Sequence, residues 1–329
     1  MIRYDEIVGQ EDVKSNLKKA VKANKISHAY IFTGEAGMGR KSIANALAMT
    51  LLCEKGGEEP CMECHACKQV LAGTHPDLIY VKHEKPTSIG VDEVREQVAE
   101  SVAIRPYSSY YKIYIVDEAE KMTVQAQNAL LKTIEEPPSY AVIILLTTNE
   151  SALLDTILSR CVKLELKPLK DSTIESYLIE HVGIEEDEAQ TVAAFARGNL
   201  GKAIAMSSSK EFKDNFEKDL NILKNIKEGD ATMIFSYIRS IRERESDLNT
   251  WTEFCRLWYR DILMFKVTRD MNKLIFKREF KAVNELGRRS DYAAFERILE
   301  AIDKAEDRLK ANVNPELTLE LLLLTMKEN

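Results

Sequence analysis

A short apolar segment that runs directly into a glycine-rich turn and then into a helix constrains this chain more than any other feature. Ala29 to Phe32 indicates a strand, Gly34 to Gly39 a turn, and Lys41 to Leu52 a helix. In such an arrangement the N–H groups of the loop and the dipole of the helix converge on one point, which favours a bound anion. The order therefore predicts an α/β domain of the phosphate-loop type.

The loop departs from the phosphate-binding pattern just after its last glycine. That pattern ends in Gly-Lys-Ser or Gly-Lys-Thr, in which the lysine reaches the terminal phosphates and the hydroxyl holds magnesium. Here Gly39 is followed by Arg40 and Lys41, and Ser42 comes one place late. The hydroxyl is thereby displaced by about 100° around the helix. We expect a loop descended from a nucleotide site that binds ATP or ADP weakly or not at all. The alternative is a glycine turn kept for packing the helix on the strand.

Polar side chains also follow two further apolar strands. Asp117 and Glu118 come directly after Val116, in the pattern of a magnesium-coordinating Asp and a water-polarising Glu at the carboxyl end of a parallel strand. Two acids at a helix N-terminus would also fit this pair. Asn149 follows another strand and is placed to sense a γ-phosphate or hold the attacking water, although an Asn after a strand is more often a turn residue. The candidate nucleotide-site residues are Gly34, Gly37, Gly39, Arg40, Lys41, Ser42, Asp117, Glu118 and Asn149.

Continuous apolar runs separated by helical patterns determine the expected fold. Val142 to Leu146 is one such run, which predicts a parallel sheet covered by helices on both faces. After Pro168 only helical patterns remain. We expect an α/β domain over 1–166, a small three-helix domain over 167–208 and an all-helical C-terminal domain over 209–329. The expected breaks between the last helices are at Gly229 and Asp230, at Gly287 and at 312–315.

Four of the six cysteines are grouped as Cys53, Cys61, Cys64 and Cys67. Four thiolates form the closed tetrahedral site that is typical of structural zinc, and a module over about 53–67 would need such a cross-link. Ferredoxin-type iron–sulfur motifs space the last cysteine differently and follow it with proline, so they fit poorly. Unmetallated thiols are the remaining alternative, and His65 is not needed as a ligand.

Composition excludes several classes of protein. The 46 basic and 53 acidic residues give a net charge of −7, which argues against a general electrostatic binder of nucleic acid. No uncharged run approaches the roughly 20 residues of a membrane span, and charged residues interrupt the N-terminus where a secretory signal would be apolar. We therefore expect a cytoplasmic protein with no membrane partner.

The motifs together resemble the bacterial clamp-loader subunits of the AAA+ class. The motifs that carry the resemblance are His28-Ala-Tyr30, Gly34 to Gly39, the Cys-x-x-Cys-x-x-Cys insertion, Ala72-Gly-Thr-His-Pro-Asp77, Val116-Asp-Glu118, Leu130-Leu-Lys-Thr-Ile-Glu-Glu-Pro-Pro138, Ser159-Arg-Cys161 and Asn312-Val-Asn-Pro315. This resemblance implies an AAA+ nucleotide-binding-like domain, a helical lid domain and a C-terminal collar domain for oligomerisation. It also implies a part in DNA replication with gamma or tau motor subunits, a delta subunit, a sliding clamp and primed DNA as partners.

Within that family the resemblance distinguishes ATP-hydrolysing motor subunits from a non-hydrolysing subunit. Arg40, Lys41 and Gly201, which stands where a motor usually carries a second sensor arginine, favour the non-hydrolysing type. The resemblance further implies that Arg160 is an arginine finger acting in trans on a neighbour's ATP. An arginine at a helix end can also simply interact with the terminal carbonyls. A motor subunit and a zinc-containing AAA+ scaffold outside replication remain the alternatives.

Overall fold

The computed structural model describes residues 3–243 and 248–329. The chain divides into two compact units. The first comprises residues 1–173 and 198–201, and the second comprises residues 174–197 and 202–329. The division into domains over 1–166, 167–208 and 209–329 stays a prediction.

A parallel sheet forms the centre of the first unit. Its strands are β1 (Ala29–Thr33), β2 (Leu78–Tyr80), β3 (Lys112–Val116), β4 (Ala141–Thr147) and β5 (Val162–Glu165). They lie in the spatial order β2-β3-β4-β1-β5. Strand β1 lies between β4 and β5, so that Thr33 is aligned with Thr147 of β4 on one side and with Glu165 of β5 on the other. The predicted parallel sheet of an α/β domain is confirmed.

Side chains of alternate residues along the central strands enter two separate cores. Ile144 and Leu146 of β4 pack into one core together with Leu47, whereas Ile143 and Leu145 pack into the other together with Leu130. Every residue of β4 is buried, because helices cover both faces of the sheet. The uninterrupted apolar run in the sequence follows directly from this double coverage.

Helices cover the sheet and connect its strands. The first are α1 (Glu11–Lys22), α2 (Arg40–Leu52), α3 (His65–Leu71), α4 (Val91–Val94), α5 (Val124–Glu135) and α6 (Asp155–Leu158). The helix expected near 90–103 begins as α4 and continues as a π-helical turn, Arg95–Glu100, and a 3-10 turn, Ser101–Ala103. The sequence did not predict α3, which begins after Cys64.

Beyond β5 the described part of the chain contains helices and no strand. These are α7 (Asp171–Tyr177), α8 (Glu186–Ala196), α9 (Leu200–Ser208), α10 (Lys210–Asn225), α11 (Ala231–Arg242), α12 (Leu248–Thr268), α13 (Phe280–Arg289), α14 (Tyr292–Lys310) and α15 (Pro315–Glu328). Among residues 3–243 and 248–329, none of the helices has the length and apolar character needed to cross a bilayer.

A cluster of aromatic rings holds the second unit together. Phe254 of α12 lies with its ring centroid 5.4 Å from that of Phe195 and 5.1 Å from that of Phe216. Phe276 joins the same cluster and meets the buried Trp258 edge-on at 5.5 Å. Aromatic pairs at such distances add to the stabilisation that comes from burying their area.

One expected break between helices is wrong. Gly287 lies inside α13, not between two helices. Gly287 is buried, and a Cβ atom there would lie 3.5 Å from Cγ2 of Ile262 in α12, an ordinary van der Waals distance, so the glycine lies where α13 packs on α12. The other breaks are confirmed, since the side chains of Asp230 and Asn314 cap α11 and α15.

A buried carboxylate fixes the amino-terminal edge of the sheet. Asp77, which is 1% exposed, directly precedes β2. Its oxygens accept hydrogen bonds from the N–H groups of Tyr107, Ser108 and Ser109, at 2.6, 2.8 and 3.0 Å. Burial acts to raise the pKa of Asp77, but these bonds outweigh it and hold the pKa below its ordinary value. The charged carboxylate therefore organises the loop that leads into β3.

We predict that Asp77→Asn lowers the free energy of unfolding of the first unit by about 2 kcal/mol, because it removes charge-assisted bonds from buried N–H groups. The depressed pKa makes this stabilisation complete above the unfolded value of about 3.9, and it is lost as the pH falls through the folded value. The difference from the parent chain should therefore shrink below about pH 4. Hydrogen exchange of the amides of residues 107–109 measures the effect. The control is Asp214→Asn, at an exposed position in α10, and equal protection in both variants would contradict the prediction.

Candidate phosphate-loop site and cysteine cluster

The loop between β1 and α2 has the backbone of an anion-binding turn. Gly34, Gly37 and Gly39 have φ angles of 150°, 93° and 95°, which residues with a side chain rarely adopt. The N–H of Gly34 donates to the carbonyl of Thr147 in β4 at 3.3 Å, which attaches the loop to the sheet. Gly39 then caps α2 from a left-handed conformation. The loop therefore lies at the carboxyl end of β1, as the sequence predicts.

The two cations after the loop have different surroundings. The ammonium of Lys41 lies 2.7 Å from Oδ2 of Asp117. Arg40 is only 9% exposed, and its buried Nη1 has no hydrogen-bond partner among the described residues. Ser42 is half-buried and follows Lys41 in α2. A lysine thus neutralises the aspartate that a magnesium ion would require.

The acidic pair follows β3 and lies beside the loop. Glu118 has a φ of 51° and directly precedes a 3-10 turn, Ala119–Lys121, which its side chain does not cap. Its Oε2 instead lies 2.8 Å from the ammonium of Lys121 and 3.8 Å from Nε2 of His83. The carboxylate is therefore surrounded by two basic groups. The sequence analysis did not single out His83 or Lys121, although Lys121 is spaced three residues from Glu118.

Asn149 makes the contacts of a turn residue. Its Oδ1 accepts hydrogen bonds from the N–H of Ser151 at 3.1 Å and from the hydroxyl of Ser151 at 2.6 Å. Its own N–H donates to the hydroxyl of Thr147 at 3.0 Å. The side chain is exposed and caps the 3-10 turn Glu150–Ala152. A role in sensing phosphate stays a prediction.

The segment 198–201 closes on the phosphate loop within the first unit. The N–H of Gly201 donates to the carbonyl of Gly37 at 3.1 Å, and Nδ2 of Asn199 donates to the carbonyl of Ala36 at 2.7 Å. A Cβ atom at Gly201 would lie 2.7 Å from Cα of Gly37, which is too close for any side chain. Gly201 therefore packs its backbone directly against the backbone of Gly37. Asn199 was missed by sequence analysis, and only its place between Gly198 and Gly201 could have drawn attention to it.

Arg160 follows α6 and its guanidinium is partly in solvent. The side chain is 41% exposed, with Nη2 3.1 Å from Oε1 of Glu135 and Nη1 donating to the carbonyl of Thr156 at 3.1 Å. The neighbouring thiol of Cys161 is half-buried, and burial raises its pKa to about 11. A thiol with that pKa is not a nucleophile at neutral pH. Arg160 is therefore the charged residue of this motif, and its guanidinium is accessible from solvent.

The four grouped cysteines come together as predicted. The Sγ atoms of Cys53, Cys61, Cys64 and Cys67 all lie within 4.8 Å of one another, which is close enough for one metal ion. Backbone N–H groups already point at the sulfurs, as the bond from Cys64 N to Cys61 Sγ at 3.3 Å shows. Hydrogen bonds from the N–H groups of Glu63 and Cys64 lower the pKa of Cys61 to about 6. His65 is exposed and lies outside the group. The cluster could therefore hold a metal ion through four sulfurs.

The polar loop of this cysteine module is attached to the N-terminal part of the chain. Glu59 pairs with Lys18 of α1 at 2.5 Å and accepts a hydrogen bond from the N–H of Tyr4 at 3.2 Å. Glu58 pairs with Lys22 at 3.1 Å. Two consecutive acidic side chains therefore hold residues 55–60 against the start of the chain.

Comparison with known proteins places the chain among replication subunits. A family model described as "DNA polymerase III, delta subunit" matches residues 9–170. The DNA polymerase III subunit delta' of Bacillus subtilis is 30% identical, over 97% of this chain and 96% of that protein. The tau subunit of the same organism is 27% identical over 98% of this chain, but the match spans 61% of tau.

Solved structures give a weaker likeness. A DNA polymerase III gamma-subunit-related protein from Thermotoga maritima is 21% identical with a TM-score of 0.42, over 97% of this chain and 98% of that one. With a TM-score this low, the similarity of the two structures does not support a shared function.

We predict that Gly201→Ala lowers the free energy of unfolding of the first unit by about 1 to 3 kcal/mol, because its Cβ would collide with the backbone of Gly37. Hydrogen exchange of the amides of β1 and β4 measures this locally, since both tryptophans lie in the second unit. Gly229→Ala is the matched control, because its Cβ would meet no atom closer than 3.5 Å. Equal effects of the two substitutions would disprove the close packing of segment 198–201.

Proposed function

Because the chain belongs to the clamp-loader family of bacterial DNA polymerase III, we propose that it occupies the delta-prime position in that assembly. In this role it joins gamma or tau motor subunits and a delta subunit in the cytoplasm, and the assembly loads a sliding clamp onto primed DNA. The observation that most strongly supports this proposal is the match to subunit delta' along almost the full length of both chains. Its own contribution to ATP hydrolysis is made at a neighbour's site.

The geometry of the phosphate loop supports a subunit that does not hydrolyse ATP. Lys41 is paired with Asp117, which removes the free carboxylate that magnesium needs. Lys121 lies 2.8 Å from Glu118, so this carboxylate is not free to polarise a water. Gly201 supplies no charge to a γ-phosphate. The retained Asp117 and Glu118 keep a motor subunit as the alternative, and measurable ATP turnover by the isolated chain would favour that alternative.

Arg160 is suited to act in trans because its guanidinium is accessible. It precedes β5, one of the two outer strands of the sheet, in which the side chains of Val162 and Lys163 are also exposed. The ion pair with Glu135 holds the guanidinium near the surface and can be exchanged for a phosphate. A guanidinium placed on a transferring γ-phosphoryl group accelerates hydrolysis by about 10³ to 10⁵. We infer that Arg160 supplies this charge to the ATP of the adjacent motor subunit.

We predict that Arg160→Ala lowers turnover at the adjacent motor site by about 10³-fold or more in the reconstituted loader, while assembly is unchanged. DNA-stimulated ATP hydrolysis and clamp loading measure this effect, and size-exclusion chromatography checks the assembly. Glu135→Gln is the matched control, since it removes the ion pair but keeps the guanidinium. If Arg160 had only a structural role through Glu135, the two variants would lose activity together.

The helical end of the chain supports assembly through its last helix. Leu317, Leu321 and Leu324 of α15 are exposed at spacings of four and three, which places them on one side of the helix. On the opposite side Leu319 and Leu323 are buried. A helix that is apolar on both sides requires a second contact surface, which a collar of neighbouring subunits would provide.

We further propose that the cysteine cluster holds a structural zinc ion. Four sulfur ligands match the donor set of closed zinc sites and leave no position for a substrate. The ion would cross-link the polar segment 55–60 to the start of α3, where few apolar side chains are available. A bound zinc ion supplies this cross-link and no chemistry of the reaction.

We predict that the purified chain contains one zinc ion, that Cys67→Ser removes it, and that Cys161→Ser retains it. Loss of a thiolate ligand opens the tetrahedral site, whereas Cys161 lies outside the cluster. Elemental analysis measures the metal, and limited proteolysis between residues 53 and 67 reports the loosening of the module. Equal zinc content in the two variants would refute the assignment of the ligands.

A further inference from the structure

We propose that the helical second unit binds single-stranded nucleic acid on a basic surface where the end of α12 meets α13 and the start of α14. The chain as a whole has a net charge of −7. Residues 256–289 nevertheless contain ten basic residues against four acidic ones. Positive charge is therefore concentrated in one part of an acidic protein, where it attracts a polyanion.

Several cations of this stretch have no counter-charge within the protein. Other cations there are paired, since Arg278 binds Glu185 and Asp187, and Arg289 binds Glu285. Five exposed or half-buried cations form no ion pair with a carboxylate in residues 3–243 and 248–329, namely Arg269, Lys273, Lys277, Lys281 and Arg288. Such side chains are free to neutralise phosphates.

The stability of the helices explains only some of these cations. Arg269 directly follows α12 and Arg288 lies in the last turn of α13, where positive charge interacts favourably with the helix dipole. Lys281 lies in the first turn of α13, where the dipole disfavours a cation, and that turn contains no acidic residue. The charge of Lys281 therefore does not stabilise its own helix, and we attribute it to a ligand.

Contacts of α12 bring three of the cations to one surface. Cζ of Arg269 lies 5.8 Å from the centre of the Phe265 ring, and that ring lies 5.0 Å from the ring of Phe280, which begins α13. Lys281 follows Phe280 directly. Arg288 lies two turns further along α13, on the same side of the helix as Lys281. The three cations therefore surround the junction of the two helices.

An exposed aromatic ring lies beside these cations. Tyr292, the first residue of α14, is 57% exposed. The ammonium of Lys266, which follows Phe265 in α12, lies 5.3 Å from the centre of the Tyr292 ring. The same ammonium donates to the carbonyl of Gly287, next to Arg288, at 2.6 Å. An aromatic ring close to cations is the combination with which proteins stack an unpaired base and hold its phosphate.

The tyrosine ring favours a single strand over other polyanions. In a duplex the bases are stacked on one another, so the surface would meet phosphates alone. An acidic peptide offers carboxylates but no planar ring to stack on Tyr292. Val267 and Met271 are also exposed at the end of α12 and add apolar area there. Bases and sugars have apolar area to cover these side chains, whereas a run of carboxylates has none.

Fluorescence anisotropy of a labelled oligothymidine of about 20 nucleotides, titrated with the full chain at low salt, tests the proposal. We expect saturable binding that weakens as salt is added, and weaker binding after the probe is annealed to oligoadenosine. No binding would overturn the proposal. Displacement of the probe by polyglutamate at equal charge would assign the surface to acidic proteins and would overturn it as well.

A double substitution in α13 locates the site. Lys281→Gln combined with Arg288→Gln should weaken binding about tenfold or more and reduce the slope of log affinity against log salt by about 1.4, because each phosphate contact of a single strand contributes about 0.7. The matched control is Lys210→Gln combined with Lys310→Gln, which removes exposed cations of the same unit from the first turn of α10 and the last turn of α14. Equal losses in the two double variants would show that net charge alone matters and would overturn the proposal.

Substitution of the tyrosine separates stacking from charge. Tyr292→Ala should weaken binding about tenfold with an unchanged salt slope, because it removes a stacking surface and no cation. Tyr292→Phe keeps the ring and should bind as the parent chain does. A Tyr292→Ala chain with full affinity would contradict the stacking. All these measurements use the chain alone, so a failure of Arg160→Ala to slow ATP hydrolysis in the loader would overturn the proposed function and leave this inference intact.

Discussion

The coverage of both faces of the sheet determines where polar chemistry can occur in the first unit. Side chains of β4 alternate between two buried cores, so no charged group can project from the middle of the strand without losing its hydration. In the inner strands β1, β3 and β4, charged groups are therefore confined to the strand ends. Asp77 lies at the amino-terminal edge, and the phosphate loop, Asp117 and Glu118 lie at the opposite edge. The same burial that stabilises the sheet thus separates the edge that Asp77 organises from the edge that carries the candidate site residues.

The sequence predicted the features that depend on local order along the chain. The strand, glycine turn and helix around Gly34 to Gly39 are confirmed, as are the parallel sheet and the grouping of the cysteines. The assignment to the clamp-loader family is also confirmed, because the match to subunit delta' covers almost the whole chain. These features are encoded by spacing and by apolar runs, which a single sequence displays directly.

Contacts between distant segments could not be predicted in the same way. Nothing in the local sequence around Lys41 indicates that its ammonium meets Asp117, and the packing of Gly201 against Gly37 depends on how segment 198–201 returns to the loop. The interpretation of Gly287 as a break failed because the packing of the buried face of α13 outweighs the low helix propensity of a single glycine. Helix α3 was missed because its first turn lies among the cysteines, whose spacing indicated a metal site instead of a secondary structure.

The two outer strands of the sheet also limit how this chain can associate with others. Strand β2 has three residues. Strand β5 has four residues, and among these four only the side chain of Leu164 is buried. Lys163 and Glu165 place charges along the outer side of the sheet, and such short, charged edges are poor templates for pairing with a strand of another molecule. Extension of the sheet into a fibre or a swapped dimer is thereby disfavoured. Association is left to the surfaces of helices, where side chains and not backbone amides select the partner.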